Sequence, residues 1–304
     1  MAEVFAGHVL VRRLDSGGQV EFHQAHPVAP GQADCLLVRL PEGSTRWPPW
    51  ADPALATTLV HPNIVRLLES HLLADRPYAR LEFVPGVDLR ELLALEQLPP
   101  TLSCFIVEEV CRGLVAALQS RAGDGTELRW VHGQLSPRVI RVSPAGQVKV
   151  GGFGLGGLKP EEAGAPSKRL DERVMFLAPE QVAGEVQDDL TPQIDVFQLG
   201  AVLHAALSRQ SLVSGTTTLE YLRAVLETRK TQASFSRLDD GVPLALRQVV
   251  TRMLASSPED RFRDAGEVLA ALESVSERVE RSVLARELGA VVQRRLEREP
   301  PAAG

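Results

Sequence analysis

The spacing of apolar residues changes at Pro85-Gly86, and this change most constrains the fold. Before that dipeptide, short β-like runs lie between turn signals; after it, apolar residues recur at helical spacing. The spacing predicts strands at His8–Leu14, Val20–Ala25, Cys35–Leu40, Ile64–His71 and Tyr78–Phe83. The turn Asp15-Ser16-Gly17-Gly18 separates the first two. Trp47-Pro48-Pro49-Trp50 cannot be regular structure, and Asp52-Pro53 reads as a helix cap followed by Pro at the first helical position. That helix must stop near Val60, because His61-Pro62 breaks it. Helices are predicted at Leu89–Leu98, Leu102–Gln119, Asp195–Leu207, Thr218–Glu227, Leu244–Leu254, Ala265–Ser274 and Ser276–Arg298, with β-like runs within Trp130–Val150. The result is an α+β chain: a small β-rich lobe over 1–84, a larger helical lobe over 85–275, an amphipathic helix over 276–298 and a disordered tail over 299–304.

Composition limits the partners. The chain has 304 residues and a net charge of −6, which argues against a nucleic-acid or anionic-membrane footprint. No apolar run approaches the roughly 18 residues of a membrane span. Met1 to Leu10 lacks the basic and apolar regions of a secretory signal, and three Cys make no disulfide framework, so a cytoplasmic location is expected. Cys104 and Cys111 lie seven apart on an apolar helix face and read as core. The seven His show no ligand spacing with Cys, so no metal site is expected. Lys is scarce: Lys149, Lys159, Lys168 and Lys230 are the only four, and Asn63 is the only Asn.

Seven segments, in order, resemble the eukaryotic-type Ser/Thr protein kinase family in a bacterial version. They are His61-Pro62-Asn63-Ile64-Val65, the hinge-like Leu81-Glu82-Phe83-Val84-Pro85-Gly86, His132–Ile140 (HGQLSPRVI), Val148–Leu155 (VKVGGFGL), Leu177-Ala178-Pro179-Glu180, Asp195–Gly200 (DVFQLG) and Pro258–Arg261 (PEDR). They cover roughly residues 8–275. The resemblance implies a bilobal protein-kinase-like fold and directs attention to the residues that carry phosphoryl transfer.

Those residues are absent. The third-strand Lys of the family falls on Val38 or Arg39; the first Lys of the chain is Lys149. The helix Glu falls by spacing on Asp52, and the catalytic base on Gln134, whose amide takes no proton at neutral pH. Loss of general-base help alone typically costs about 10²–10⁴ in rate. The metal ligands fall on Val139 and Gly152; no Asp occurs between Asp124 and Asp171. Of the phosphate-covering loop only Gly17 remains, and Leu36 or Leu37 stands where a small Ala would roof an adenine. Gly17, Leu36, Leu81, Glu82 and Val84 would then line a vestigial nucleotide cleft with weak or no ATP affinity and no Mg²⁺.

The family's structural residues survive. Glu180 and Arg261 resemble a buried ion pair, Asp195 a helix residue that anchors the catalytic loop, and His132 and Phe153 two members of an internal stack. Retention of fold residues with loss of reaction residues implies a pseudokinase acting through a protein partner, an active Ser/Thr kinase or its substrate. A metal-independent nucleotide sensor and a residual phosphotransferase are the alternatives. Candidate partner surfaces are Trp47 and Trp50, and the stripe of Val279, Leu284, Leu288 and Leu296, which either docks on the large lobe or pairs with another protein or a second copy. Ser167 is a candidate phosphorylation site in the Gly-rich loop, and Glu161-Glu162 reads as a solvated segment.

Overall fold

A computed structural model describes residues 3–14, 20–31, 33–40, 58–73, 76–95, 97–153, 172–186, 190–276 and 279–298. Gly17, Trp47, Trp50, Asp52, Glu161, Glu162, Ser167 and the tail 299–304 lie outside the described residues.

The first lobe is a six-stranded antiparallel sheet: β1 (Val4–Phe5), β2 (His8–Arg13), β3 (Glu21–Pro27), β4 (Cys35–Arg39), β5 (Leu67–Leu73) and β6 (Arg76–Glu82), in the order β1-β2-β3-β4-β6-β5. Central β4 is almost wholly apolar because both its faces are covered. Cys35 and Leu37 pack with Phe5, Leu10 and Ala25, whereas Leu36, Val38 and Leu40 pack with Val20, Phe22, Ala79 and Leu81. β1 was not anticipated; at two residues it is too short to show alternation.

The second lobe opens with β7 (Val87–Asp88) and α1 (Leu89–Leu95), followed by α2 (Pro100–Leu118). The hairpin β8 (Ile140–Val142) and β9 (Val148–Val150) completes a small sheet with β7. Then come α3 (Pro179–Val182), α4 (Pro192–Ser208), α5 (Thr218–Lys230), α6 (Leu244–Met253), α7 (Ala265–Val275) and α8 (Arg281–Arg298). α2 and α4 form the centre of one continuous core, and the polar side chains buried on them, such as Glu109 and Gln198, anchor neighbouring segments. Caps fix the outer helices: Thr217 and Glu220 form a capping box on α5, and the Asp264 carboxylate accepts from Gly266 and Glu267 at the start of α7. Cys104 and Cys111 are buried, and burial pushes the Cys104 thiol up to about 12.

Three of the boundaries that differ from the sequence reading have a clear physical cause. α1 ends at Leu95, short of Leu98, as Pro99 and Pro100 follow. β5 begins at Leu67 instead of Ile64 because the preceding residues bond to the other lobe: Val65 N donates to Val150 O at 2.9 Å, and Val150 N donates to Asn63 O at 2.8 Å. The last helix begins at Arg281 rather than Ser276. Ser276 instead closes α7, its N–H donating to Leu272 O at 2.8 Å and its hydroxyl to Glu108 at 3.1 Å.

α8 docks on its own large lobe. Leu284 and Leu288 are buried in the main core, so of the two alternatives open for the stripe these residues take docking on the large lobe and do not line a partner surface. Val279 and Leu296 remain exposed. Arg281 pairs with Glu109 of α2, whose other oxygen accepts from the Asn63 amide at 2.9 Å. One carboxylate thus joins α8 to the His61–Val65 segment. Helix and hairpin approach closely: a Cβ at Gly146 would collide with the Ala285 carbonyl, and one at Gly289 with that of Pro144. Gly146 and Gly184 both have positive φ, but nothing lies near a Cβ at Gly184. Gly184→Ala therefore costs only the backbone term, about 1–2 kcal/mol. Gly146→Ala costs more, and urea unfolding of the two variants checks that order.

Candidate functional site

The site follows from the sheet register and two helices. Leu36 lies opposite Leu81, and Val38 opposite Ala79, so all four share one face of the sheet. That register puts Val38 and Arg39 on opposite faces of the sheet. Val38 is 2% exposed and shares the face of Leu81, where β6 runs toward the segment joining the lobes. Arg39 points to the opposite face. There its Nε donates to Glu21 at 2.8 Å, it pairs with Glu3, and its guanidinium lies 5.0 Å from the Phe5 ring centroid. It is a structural cation remote from the Leu36–Leu81 face.

The joining segment is tied from behind. Glu82 accepts from Lys149 at 2.5 Å and from the Arg66 N–H at 3.0 Å, so its carboxylate is engaged with β9 and the residue that precedes β5. Buried Val84 offers its carbonyl to Arg141 at 3.1 Å, and the same nitrogen reaches Gly86 O at 2.7 Å. Burial lowers the Arg141 pKa. Neither Lys149 nor Arg141 was singled out from the sequence.

Opposite lies the loop between α2 and β8. Asp195, in the first turn of α4, is buried and accepts from His132 N at 2.9 Å and Gly133 N at 2.7 Å. Gly133 has φ +71°, where a side chain would be strained and would strike Leu190. Fully buried Gln198 accepts from Leu135 N at 2.7 Å and donates to Gly133 O at 3.0 Å; Gln181 donates to the same carbonyl at 2.9 Å. The backbone on both sides of Gln134 is thereby fixed. The sequence reading assigned Asp195 to this clamp; Gln198, within the same Asp195–Gly200 motif, was not singled out.

His132 is a neutral imidazole. Its Nδ1 accepts from Gln134 N at 3.2 Å, so Nε2 carries the proton and donates to Gly151 O at 2.7 Å. Its ring lies 4.7 Å from that of Phe153. The structure therefore brings together His132, Gln134, Val139, Gly152 and Phe153. Gly152 has φ +84°, and a Cβ there would lie 3.3 Å from Val139 Cγ1 and 3.8 Å from His132 Cε1. The His132 Nε2 lies 3.8 Å from the same point, and no carboxylate is among these three nearest atoms. Among the described residues no group of three or more His, Cys, Asp or Glu is arranged to hold a metal ion.

Glu180 and Arg261 meet in a bidentate ion pair, with N–O distances of 2.7 and 2.9 Å. Both are buried, and Arg261 also donates to Ala255 O at 2.8 Å and Gln193 O at 3.0 Å. The pair joins α3 to the end of the large lobe.

A two-lobed fold with this loop, clamp and ion pair defines a class. Residues 52–271 match the family described as the protein kinase domain, and the chain belongs to that family. Among relatives, it is 28% identical over 286 residues to the tyrosine-protein kinase MasK of Myxococcus xanthus, covering 90% of this chain and 44% of that protein. It is 30% identical over 203 residues to the serine/threonine-protein kinase PknL of Mycobacterium tuberculosis, covering 66% and 47%. The chain thus spans less than half the length of these relatives. The PknI kinase domain of Mycobacterium tuberculosis has the same fold, with a TM-score of 0.62 at 20% identity over 90% of this chain and 97% of that one. Among the described residues no helix is long and apolar enough to cross a membrane.

Two predictions follow from the buried charges. Breaking a buried pair from one side costs about 3–5 kcal/mol, because the partner charge is left uncompensated. Glu180→Ala should therefore lose about that much in urea unfolding, and Arg261→Ala a similar amount. The second concerns pH. Burial pushes the Asp195 carboxyl up to about 7, the two backbone N–H groups partly offsetting it. Burial pushes the His132 imidazole down to about 4. Between pH 4 and 6.5 the folded chain keeps the Asp195 proton that the unfolded chain releases, so this group removes stability as pH rises. His132 does the reverse: its contribution is lost as pH falls from 6.5 toward 4. Asp195→Asn deletes the first slope and keeps the second. Stability of the variant should fall more steeply on acidification than that of the parent; parallel curves would contradict the assignment.

Proposed function

We propose that this member of the protein kinase family is a pseudokinase: a catalytically inactive fold that works by binding protein, as scaffold or allosteric regulator in bacterial Ser/Thr kinase signalling. The observation that supports the reading is the neighbourhood of Gly152, where a Cβ would meet Val139 Cγ1 at 3.3 Å and the His132 ring at 3.8 Å, with no carboxylate among these atoms. In the family the positions of Val139 and Gly152 hold Mg²⁺, and that of Gln134 takes the substrate proton. Here no side-chain oxygen is available at either ligand position, and an amide replaces the base. Val38 shares the sheet face of Leu36 and Leu81; read as the family's Lys position, it adds a third lost nucleotide contact to the two metal ligands. Charge-assisted contacts are worth about 1.5–3 kcal/mol each. Three such losses lower Mg-nucleotide affinity by roughly a thousandfold or more. Leu36 opposite Leu81 further crowds the place of an adenine.

The intact Asp195 clamp and Glu180–Arg261 pair support the same reading, since both maintain shape and neither touches phosphate. The partner is a protein, an active Ser/Thr kinase or its substrate. The test is thermal unfolding of the purified chain with ATP, ADP or no nucleotide, each with and without Mg²⁺. Bound ligand raises stability by RT ln(1 + [L]/Kd). No shift at millimolar nucleotide is expected. A metal-independent shift would instead make the chain a nucleotide sensor, and a shift requiring Mg²⁺ would overturn the proposal.

A further inference from the structure

The antiparallel pair β5–β6 of the small lobe is held at both of its ends by the β8–β9 hairpin of the large lobe. The entry to β5 is bonded to β9: Val65 N donates to Val150 O, Val150 N donates to Asn63 O, and Ile64 forms a parallel bridge with Val150. The exit from β6 is bonded to β8. There one guanidinium nitrogen of Arg141 donates to the Val84 carbonyl at 3.1 Å and to the Gly86 carbonyl at 2.7 Å. The backbones approach so closely that a Cβ at Gly86 would collide with the Val142 carbonyl.

One cation joins the two ends. The buried Lys149 ammonium donates to the Glu82 carboxylate at the exit and to the Ile64 carbonyl, 3.4 Å away, at the entry. An ammonium carries three donors on a flexible stem, so it can serve acceptors that arrive from two directions. Glu82 closes the node: its side chain accepts from Arg66 N, and its own N–H donates to Arg66 O at 2.9 Å. The register sets Arg141 opposite Lys149 on one side and opposite Asp88 on the other. The Asp88 carboxylate is engaged elsewhere, accepting from Glu91 N at 2.8 Å and lying 3.7 Å from Arg90. Arg141 and Lys149 therefore stand side by side, each with its own acceptors on the small-lobe chain. A lobe attached at one point swings through a few residues that absorb the change in φ and ψ. A lobe attached at both ends of a strand pair swings only by breaking the bonds at one end.

We propose that Lys149 and Arg141 form a pin that fixes the two lobes of this chain in one orientation, Lys149 joining the Ile64 carbonyl to the Glu82 carboxylate and Arg141 holding the Val84 and Gly86 carbonyls. Both lobes then meet any binding partner as one rigid surface. The inference goes beyond the pseudokinase reading and stands without it, because neither cation occupies a base or metal-ligand position.

The test is a double electron–electron resonance distance measurement on the full chain, with spin labels at Val11→Cys on β2 and Arg223→Cys on α5. Both positions are exposed, and the three native Cys are buried. The labelled parent is expected to give one narrow distance distribution. Lys149→Met and Arg141→Met, which keep much of each apolar stem, should each at least double its width. Glu180→Ala weakens a pair that touches neither hairpin, and should leave the width unchanged at a lower unfolding temperature. A broad or two-peaked distribution in the parent overturns the proposal even where a variant fails to fold. A parent-like width in either pin variant, or equal broadening by Glu180→Ala, also overturns it. No nucleotide is present, so such a failure is separate from the outcome of the thermal-shift test.

Discussion

The carboxylate of Asp195 organises the centre of the molecule. It reaches from the first turn of α4 and accepts from two successive backbone N–H groups, those of His132 and Gly133. Gln198, one turn further along the same helix, closes the loop from its other side. His132 then fixes Gly151 through its protonated nitrogen and stacks on Phe153. Loop, hairpin and helix are one hydrogen-bonded unit, and burial makes each missing bond costly. The frame positions residues 134, 139 and 152 whatever their side chains are.

That separation explains how a fold can outlast its chemistry. The contacts to Asp195 are made by backbone, so Gly133 and Gln134 are accommodated without loss of the frame. Gly133 even removes a backbone strain, since its φ is positive. A Cβ at Gly152 would meet Val139 Cγ1 at 3.3 Å. On the reading proposed above, such substitutions are inexpensive for stability and severe for phosphoryl transfer, which depends almost wholly on placed charge. Glu180 and Arg261, by contrast, bear on stability alone and remain.

Much of this was legible in the sequence. The break at Pro85-Gly86 separated the lobes, and the helical spacing located α2 and α4–α7 to within a few residues. Cys35–Leu40 read as a strand, but its register did not, because an apolar run buried on both faces carries no alternation. Only pairing with β6 showed which of Val38 and Arg39 shares the face of Leu81. The roles of Gln181, Glu109 and Lys149 were missed because their partners lie 48, 46 and 67 residues away, and no local pattern records such contacts. The stripe on the last helix was equally compatible with docking inside or outside. The close approach allowed by Gly146 and Gly289 is what seats Leu284 and Leu288 inward.

The central claim is that the frame is kept while the reaction is not. Transfer of the γ-phosphate from labelled ATP, by the purified chain with Mg²⁺ or Mn²⁺, to itself or to a general protein substrate measures it most directly. The account predicts no incorporation above a chain unfolded in the same buffer. Incorporation that is abolished by a substitution at Gln134 would contradict it.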